Sequence, residues 1–392
     1  MKKYSIAHMH WGFPPIIGGV ETHLTILMPE LVKRGYKVSL LTGSVEGHEE
    51  EVEYEGVKVF RTPLMDLNWL GKRGLVGIED EFEKACTDFI DTVKPDIIHT
   101  HNMNYFSKPH ALVLDSISKK KGIPLILTAH NAWDNALFLE LTANISWSHI
   151  IAVSHFVKLE IMGIGYDDKK VTVVHHGVDT HKFNPKNKET TTKKFPELKN
   201  KKIVFHPARM GLAKGCDVSV KAMRHVVEVI PDAILILAGT KNIIDWDSSQ
   251  QKDIAYILYL IEIFGLKNNT FIDVYSLEEM ISLYALADVC IYPSVNSEPF
   301  GLTMLESISS GKPIIVTNSG GMPEVIKDGV NGYVVNVRDH ETLGSRITQL
   351  LLNDRLRERL GYTGRDMAEN GYTKEIMTKN TIKVYDKVLK KT

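Results

Sequence analysis

Residues 297–306 read Ser-Glu-Pro-Phe-Gly-Leu-Thr-Met-Leu-Glu, and they follow the apolar run Asp-Val-Cys-Ile-Tyr-Pro at 288–293. The apolar run predicts a buried strand, while Pro299 and Gly301 indicate a turn into a helix whose predicted N-cap is Thr303. The first N–H groups of a helix have no partners within it and lie at the positive end of its dipole. The pattern therefore predicts a strand, a turn suited to binding phosphate, and a helix.

Two carboxylates flank this turn, Glu298 before it and Glu306 on the predicted helix. Carboxylate oxygens accept hydrogen bonds from hydroxyl groups, which are the groups that sugars present. Taken singly, each glutamate is better explained as a solvated surface side chain, because charged residues are mostly exposed. The combination of both carboxylates with the turn is more specific than either glutamate alone.

The N-terminal region has the pattern of a βαβ unit. Residues 4–9 predict a strand, a helix follows the glycine pair Gly18-Gly19, and residues 38–42 predict the next strand. A strand, a crossover helix and a second strand indicate a parallel, doubly wound sheet. A second sheet is predicted to begin at 203–207, so the expected fold is α/β with two similar halves.

Length and composition agree with two soluble α/β domains. The 392 residues exceed one ordinary core, and the contents of 43% apolar and 24% charged residues are typical of globular proteins. A net charge of −1 gives no indication of a nucleic-acid partner. Three scattered cysteines form neither a disulfide pattern nor a metal motif, and no long apolar segment is present. We therefore expect a cytoplasmic protein.

Glu298 and Glu306, eight residues apart around Pro-Phe-Gly-Leu, resemble the paired-glutamate signature of the family 4 retaining glycosyltransferases, also known as group 1 glycosyl transferases. The resemblance implies the GT-B fold, in which two Rossmann-like domains face a central cleft. It places an acceptor-binding domain at 1–185, a linker at 186–202 and a nucleotide-sugar-binding domain at 203–375. The last helix, at about 376–392, is expected to cross back onto the first domain.

Two cations bracket a glycine-bearing turn at the start of the second domain. Arg209 and Lys214 have the composition of a diphosphate clamp, although two solvated cations would look the same. The resemblance assigns them to the donor diphosphate, Glu306 to the ribose hydroxyls and Glu298 to the hydroxyls of the sugar. The predicted donor-binding residues are therefore Gly18, Gly19, Arg209, Lys214, Phe300, Gly301, Leu302 and Glu306.

Histidines follow two strands predicted to be neighbours in the first domain. His101 and His130 stand where residues 96–101 and 125–128 end, and the carboxyl ends of parallel strands line the ligand crevice. His99 is expected to point to the opposite face and to be structural. The resemblance places His130 beside the donor sugar, so the predicted catalytic residues are His130, Arg209, Lys214 and Glu298. The predicted acceptor-binding residues are His101, Asn131, Asp134 and Ser154.

No metal site or other cofactor is predicted. Asp245-Trp246-Asp247 resembles a metal-binding Asp-x-Asp, but it lies in a polar loop with no third ligand nearby. Arg209, Lys214 and the N–H groups near Gly301 would instead neutralise the charge that develops on the diphosphate. A second glycine pair, Gly320-Gly321, is expected to let the backbone approach the nucleotide.

The resemblance implies transfer from a nucleotide-diphosphate sugar, with UDP-N-acetylglucosamine as the best analogy, and retention of configuration without a covalent nucleophile. The first 180 residues carry more Asp and Glu than Lys and Arg, and most of the 16 histidines. That balance argues against an anionic membrane surface or a phosphorylated acceptor. It favours a small neutral or cationic polyol, such as an aminocyclitol of secondary metabolism.

Several other functions remain open from the sequence. An enzyme of lipid-linked or cell-surface polysaccharide assembly would share the donor-site motifs. A sugar-nucleotide epimerase would turn over its donor without an acceptor. A glycan phosphorylase would need a pyridoxal lysine, for which there is no motif, and a binding protein without activity would not need Glu298, Arg209 and Lys214 together.

Overall fold

The computed structural model describes residues 3–185, 194–239 and 249–390. They form two compact units, the first made of residues 3–177 and 374–390 and the second lying within 178–373. The predicted linker at 186–202 lies partly outside the described residues. The chain passes from the first unit to the second between residues 177 and 178, and it returns to the first unit between residues 373 and 374.

The first unit contains a sheet of eight strands in the order β3-β4-β2-β1-β5-β6-β7-β8. Every pair of neighbouring strands is parallel except the hairpin of β3 and β4. The strands are β1 (Ser5–Met9), β2 (Lys37–Gly43), β3 (Glu51–Tyr54), β4 (Val57–Thr62), β5 (Ile97–His101), β6 (Leu125–Ala129), β7 (His149–Ala152) and β8 (Val171–Val173). The predicted βαβ start is therefore present.

Helices connect these strands, as parallel pairing requires. The helices of the first unit up to its last strand are α1 (Gly19–Lys33), α2 (Leu67–Arg73), α3 (Glu79–Val93), α4 (Lys108–Lys121), α5 (Ala136–Asn144) and α6 (His155–Gly163). The central strands are buried along their whole length, which explains their continuous apolar sequences.

The second unit repeats the pattern with a six-stranded parallel sheet in the order β11-β10-β9-β12-β13-β14. Its strands are β9 (Lys202–His206), β10 (Ala233–Gly239), β11 (Thr270–Val274), β12 (Val289–Tyr292), β13 (Ile314–Thr317) and β14 (Gly332–Val335). Its described helices are α7 (Cys216–Val229), α8 (Ser249–Ile263), α9 (Leu277–Leu286), α10 (Leu302–Ser309), α11 (Met322–Val325), α12 (His340–Leu352) and α13 (Asp354–Gly371). Both halves are therefore α/β, as predicted.

The helix α14 (Lys374–Leu389) belongs to the first unit although it follows the second in the chain. Its Tyr385 is completely buried in the apolar core of that unit, and its hydroxyl oxygen lies 2.7 Å from His99 Nδ1. Tyr4 donates a hydrogen bond of 2.9 Å to Asp386. Buried apolar area and these two hydrogen bonds hold the helix in place.

No helix among the described residues combines the length and the apolar character needed to cross a bilayer.

Replacing Tyr385 with Phe is expected to destabilise the protein by about 1–3 kcal/mol, because His99 Nδ1 would be left buried without a partner. Tyr4→Phe is the matched control, since its hydroxyl bonds a partly exposed carboxylate, and the expected cost is below about 1 kcal/mol. Urea denaturation of the two variants measures both values. Equal effects would contradict a structural role for the Tyr385–His99 bond.

Candidate active site

The turn after β12 leads into α10, as the sequence predicts, but the helix begins at a different residue. The N-cap is Gly301, whose φ of +86° lies in the left-handed region that favours glycine. Thr303 therefore lies inside the first turn, and the prediction of Thr303 as N-cap is wrong. Its hydroxyl oxygen is buried and has no hydrogen-bond partner among the described residues.

Lys214 and Glu298 form an ion pair at this turn, with 2.8 Å between Lys214 Nζ and Glu298 Oε2. Tyr292, the last residue of β12, connects the two. Its hydroxyl donates to the same Glu298 oxygen at 2.6 Å and accepts from Lys214 Nζ at 3.0 Å. The ammonium has three N–H groups, so one remains available for another acceptor.

Burial and charge act in opposite directions on this pair. Burial alone would raise the pKa of Glu298, but the Lys214 ammonium, hydrogen bonds from Lys214 and Tyr292, and the charge of Arg209 hold that pKa below its usual value. Burial would likewise lower the pKa of Lys214, while Tyr292 and Glu298 raise it. Both groups therefore stay charged at neutral pH. Arg209 lies nearby with an exposed side chain.

Glu306 on α10 is in a different electrostatic environment. Burial raises the pKa of its carboxyl group to about 7, although a hydrogen bond of 2.6 Å from the Tyr284 hydroxyl opposes the shift. Glu298 is thus ionised next to a cation, whereas Glu306 titrates near neutrality. The two glutamates of the motif are chemically distinct.

Glycines fix the backbone around these charges. Gly320 has φ +57°, and a Cβ there would lie 2.1 Å from the carbonyl oxygen of Glu298. The N–H of Gly321 donates to the same oxygen at 2.9 Å. The sequence predicted that this glycine pair lets the backbone approach the nucleotide. In the structure, the group that lies close to the pair is the backbone of Glu298. Gly215, with φ +75°, packs in the same way against the carbonyl of Pro293.

The predicted residues of the first unit lie at the carboxyl ends of its strands. Gly18 precedes α1, and a Cβ on Gly19 would meet no atom within 4 Å, so the backbone there is open to a ligand. Asn131 and Asp134 lie between β6 and α5, with Asp134 exposed. Ser154 is buried, and its hydroxyl oxygen accepts a hydrogen bond from Val157 N, capping α6.

A row of three buried histidines crosses β1, β5 and the end of β6. His8 Nδ1 lies 3.0 Å from His101 Nε2, and His101 Nδ1 lies 2.9 Å from His130 Nε2. We call these three side chains the histidine row. Burial lowers the pKa of His8 to about 3, and burial followed by neighbouring imidazoles holds the pKa of His101 and His130 well below the usual value.

The prediction that His99 points away from His101 is wrong. Residues two apart in a strand lie on the same face, and the two ring centroids are 4.4 Å apart. His99 is outside the histidine row, because its nitrogens bond Tyr385 and Thr128. It is buried and structural in its contacts, as expected.

Two groups of buried histidines have ring nitrogens close enough to hold a metal ion. They are His8, His99 and His101, and His23, His101 and His130, with one nitrogen each within 4.8 Å. Neutral imidazoles are good ligands for transition metals. Asp245 and Asp247, which the sequence analysis does not predict to bind a metal, lie outside the described residues.

Sequence reasoning missed two kinds of residue. Tyr284 and Tyr292 contact the two motif glutamates. A tyrosine in an apolar segment of sequence is instead expected to be an ordinary core residue. His8, His23 and His176 also join the buried cluster, with 2.9 Å between His23 Nδ1 and His176 Nδ1. In the sequence, the only pattern that could have indicated these histidines was the alternation of polar residues on adjacent strands.

Comparisons with known proteins identify the family and the fold. The model described as "Glycosyltransferase Family 4" matches residues 17–182, and "Glycosyl transferases group 1" matches residues 187–367. The chain belongs to the family 4 glycosyltransferases. Its two parallel-sheet units are those of the GT-B fold, as shown by a glycosyltransferase from Rickettsia africae ESF-5 with a TM-score of 0.82, 21% identity and full coverage of both chains.

Of two further similar proteins, one is named for its reaction and the other was solved with bound ligands. The N-acetyl-alpha-D-glucosaminyl L-malate synthase of Bacillus anthracis is 23% identical over 96% of each chain. Anabaena Alr3699/HepE, solved in complex with UDP and glucose, has a TM-score of 0.78 at 18% identity, covering 98% of this chain and 100% of its own. This family 4 member thus shares its fold with a UDP-binding structure.

In this glycosyltransferase, Gly320→Ala is expected to displace Glu298, because the new methyl group would overlap the Glu298 carbonyl. Gly329→Ala is the matched control, since Gly329 has φ +70° but open space around it. Both variants carry the strain of a left-handed residue, about 1–2 kcal/mol. Gly320→Ala should cost about 2 kcal/mol more in denaturant unfolding. Equal costs would mean that the loop accommodates the methyl group.

The raised pKa of Glu306 predicts a stability change with pH. A carboxyl that binds its proton more tightly when folded stabilises the protein fully below its unfolded pKa of 4.5. That contribution is lost as pH rises to about 7. The wild type should therefore lose roughly 2–3 kcal/mol relative to Glu306→Gln between these values. Unfolding curves at several pH values test this, and a pH-independent difference would contradict it.

Proposed function

We propose that this glycosyltransferase moves a sugar from UDP-N-acetylglucosamine to a hydroxyl group of a small polar acceptor, an aminocyclitol or similar polyol, with retention of configuration and without a metal. One observation carries the proposal, namely the cluster of Lys214, Tyr292 and Glu298 beside Arg209 and the start of α10. It combines fixed positive charge for a diphosphate with a partly exposed carboxylate for sugar hydroxyls.

Cleavage of a nucleotide–sugar bond leaves negative charge on the departing diphosphate. The third N–H of Lys214, the Arg209 guanidinium and the positive end of the α10 dipole would stabilise that charge. Because Lys214 is already held by Glu298 and Tyr292, its ammonium needs no rearrangement when the charge appears. Pre-oriented donors of this kind are worth about 3 kcal/mol each in other enzymes.

The two glutamates suit the two hydroxylated parts of the donor. Glu298 is ionised and has an oxygen beyond the one that Tyr292 and Lys214 occupy, so it can accept from sugar hydroxyls. Glu306, with its pKa near 7, would accept from ribose hydroxyls once it is ionised. His130 would lie beside the sugar, as the family resemblance implies.

The donor assignment is supported by analogy. The Bacillus anthracis relative is named for N-acetylglucosaminyl transfer, and the Anabaena structure contains UDP. Both facts describe those proteins. They make uridine sugars the first donors to test here.

The acceptor assignment draws on the charge of a cavity of about 150 Å³ in the first unit, whose lining includes none of the predicted acceptor-binding residues. Its described lining has two carboxylates, Glu46 and Asp66, with Trp11, Ser44 and Asn68, and it includes no Lys, Arg or His. Such a lining would repel phosphate and carboxylate groups and would attract a hydroxylated amine. The acidic balance of the first 180 residues likewise favours a neutral or cationic acceptor.

We also propose that the protein is cytoplasmic.

A ligand panel tests the proposal, with UDP, GDP, ADP and their common sugars measured by thermal shift with and without EDTA. We expect one uridine sugar to stabilise the protein equally in both conditions. Transfer to aminocyclitols would then be followed by NMR, which shows the anomeric configuration of the product. Lys214→Met should lower kcat on the order of a hundredfold.

Different outcomes separate the alternatives. Loss of activity with EDTA would overturn the metal-free mechanism. Turnover of the donor without any acceptor would indicate an epimerase, and transfer only to a lipid carrier would indicate polysaccharide assembly. A product of inverted configuration would refute retention. The absence of any nucleotide-dependent shift would refute the donor site itself.

A further inference from the structure

The histidine row has a hydrogen-bonding property that its individual members lack. A neutral imidazole carries one N–H donor and one bare nitrogen acceptor. His101 uses both of its nitrogens within the row, one toward His8 and one toward His130. It therefore cannot donate to both neighbours or accept from both while it stays neutral.

This constraint makes the three tautomers depend on one another. If His101 Nδ1–H donates to His130 Nε2, the proton of His130 must be on Nδ1, and His8 must donate from Nδ1 to the free Nε2 of His101. If the direction is reversed, all three protons are on Nε2. The neutral row thus has only two states, with every proton on Nδ1 or every proton on Nε2.

The two ends of the row distinguish these states. His8 Nε2 and His130 Nδ1 are both buried without hydrogen-bond partners among the described residues. Either state leaves one N–H without an acceptor and one bare nitrogen without a donor, so the two states differ only in which end of the row carries the unpaired N–H. His8 is fully buried within β1, whereas His130 follows β6 at the carboxyl end of the parallel strands, the end at which such sheets bind ligands, and its Nδ1 is buried in the structure. The N–H is therefore better placed at His130.

We propose that His8 and His101 are positioning residues that hold His130 as its Nδ1–H tautomer, so that His130 offers a hydrogen-bond donor to the sugar of the donor substrate. His101, predicted from the sequence to bind the acceptor, acts through His130 because it is completely buried and both ring nitrogens are engaged. The proposal rests on the proposed function only in placing His130 beside the sugar.

The close nitrogen pairs favour this interpretation over a metal site. At 2.9 and 3.0 Å, each pair is at the distance of an N–H···N hydrogen bond, in which the two nitrogens point at each other. Ligands of one metal ion must instead direct their lone pairs at a common point. His10 remains outside the row, since its nitrogens contact the His101 carbonyl oxygen and Glu21.

Nitrogen-15 NMR of protein labelled at histidine tests the row directly, because ring nitrogens with and without a proton have distinct chemical shifts. Signals are assigned by single substitutions. Without ligand at pH 7, we expect His8, His101 and His130 all to carry their proton on Nδ1. In His8→Leu, which removes the partner of His101 Nε2, His130 should change from one tautomer to a mixture.

Two variants control for damage to packing. His8→Asn retains an amide group at the position of Nδ1 and should restore the single tautomer of His130. His99→Leu removes an equally buried neighbour that is outside the row, so the His130 signal should stay unchanged. Sugar transfer should fall on the order of tenfold in His8→Leu and recover in His8→Asn, as expected for loss of one orienting hydrogen bond. Affinity for UDP, which lacks the sugar, should not change.

A mixture of tautomers or an imidazolium in the wild type would overturn the proposal, as would an unaltered His130 in His8→Leu. Stoichiometric metal in the purified protein, with ring signals that change in EDTA, would also overturn it. The ligand-free spectra separate this inference from the proposed function. A uniform row in a protein that binds no nucleotide sugar would refute the function and leave the row intact.

Discussion

The contact between Lys214 and Glu298 is the interaction on which the arrangement of the second unit's candidate site depends. An ammonium and a carboxylate that are largely, though not fully, removed from water are costly unless they pair closely and their remaining hydrogen bonds are satisfied. Tyr292 meets that requirement from the end of β12, and Gly320 and Gly321 hold the Glu298 backbone in position. The carboxyl end of β12, the glycine pair and the turn before α10 are thus parts of one electrostatic arrangement.

The two units meet the cost of buried polar groups in opposite ways. The second keeps a charge and pairs it at Glu298, which stays ionised, while burial raises the pKa of Glu306, whose carboxylate accepts from the Tyr284 hydroxyl. The first keeps the three imidazoles of the histidine row neutral and links them by hydrogen bonds from ring to ring. One solution supplies fixed charge, and the other supplies fixed donor direction.

The sequence was sufficient for the features that depend on local pattern. Apolar strands followed by glycine turns predicted both α/β units, and the spacing of Glu298 and Glu306 predicted the family. It was insufficient where a side chain's role depends on a distant partner. Nothing near Tyr292 or His8 indicates Glu298 or His101, which topology brings together. The wrong prediction of Thr303 as the N-cap has another cause. Threonine and glycine both occur at N-caps, so the sequence alone did not show that the cap is Gly301.

The position of α14 has a consequence for biosynthesis. The core of the first unit contains Tyr385, Met377 and Val384, which are synthesised after the entire second unit. A ribosome making this chain therefore exposes an unfinished apolar surface on the first unit while roughly half of the protein is still to be translated. Domains made of one continuous segment can fold as they emerge. Here the order of synthesis and the order of completion are reversed, and the earlier-made unit is finished second.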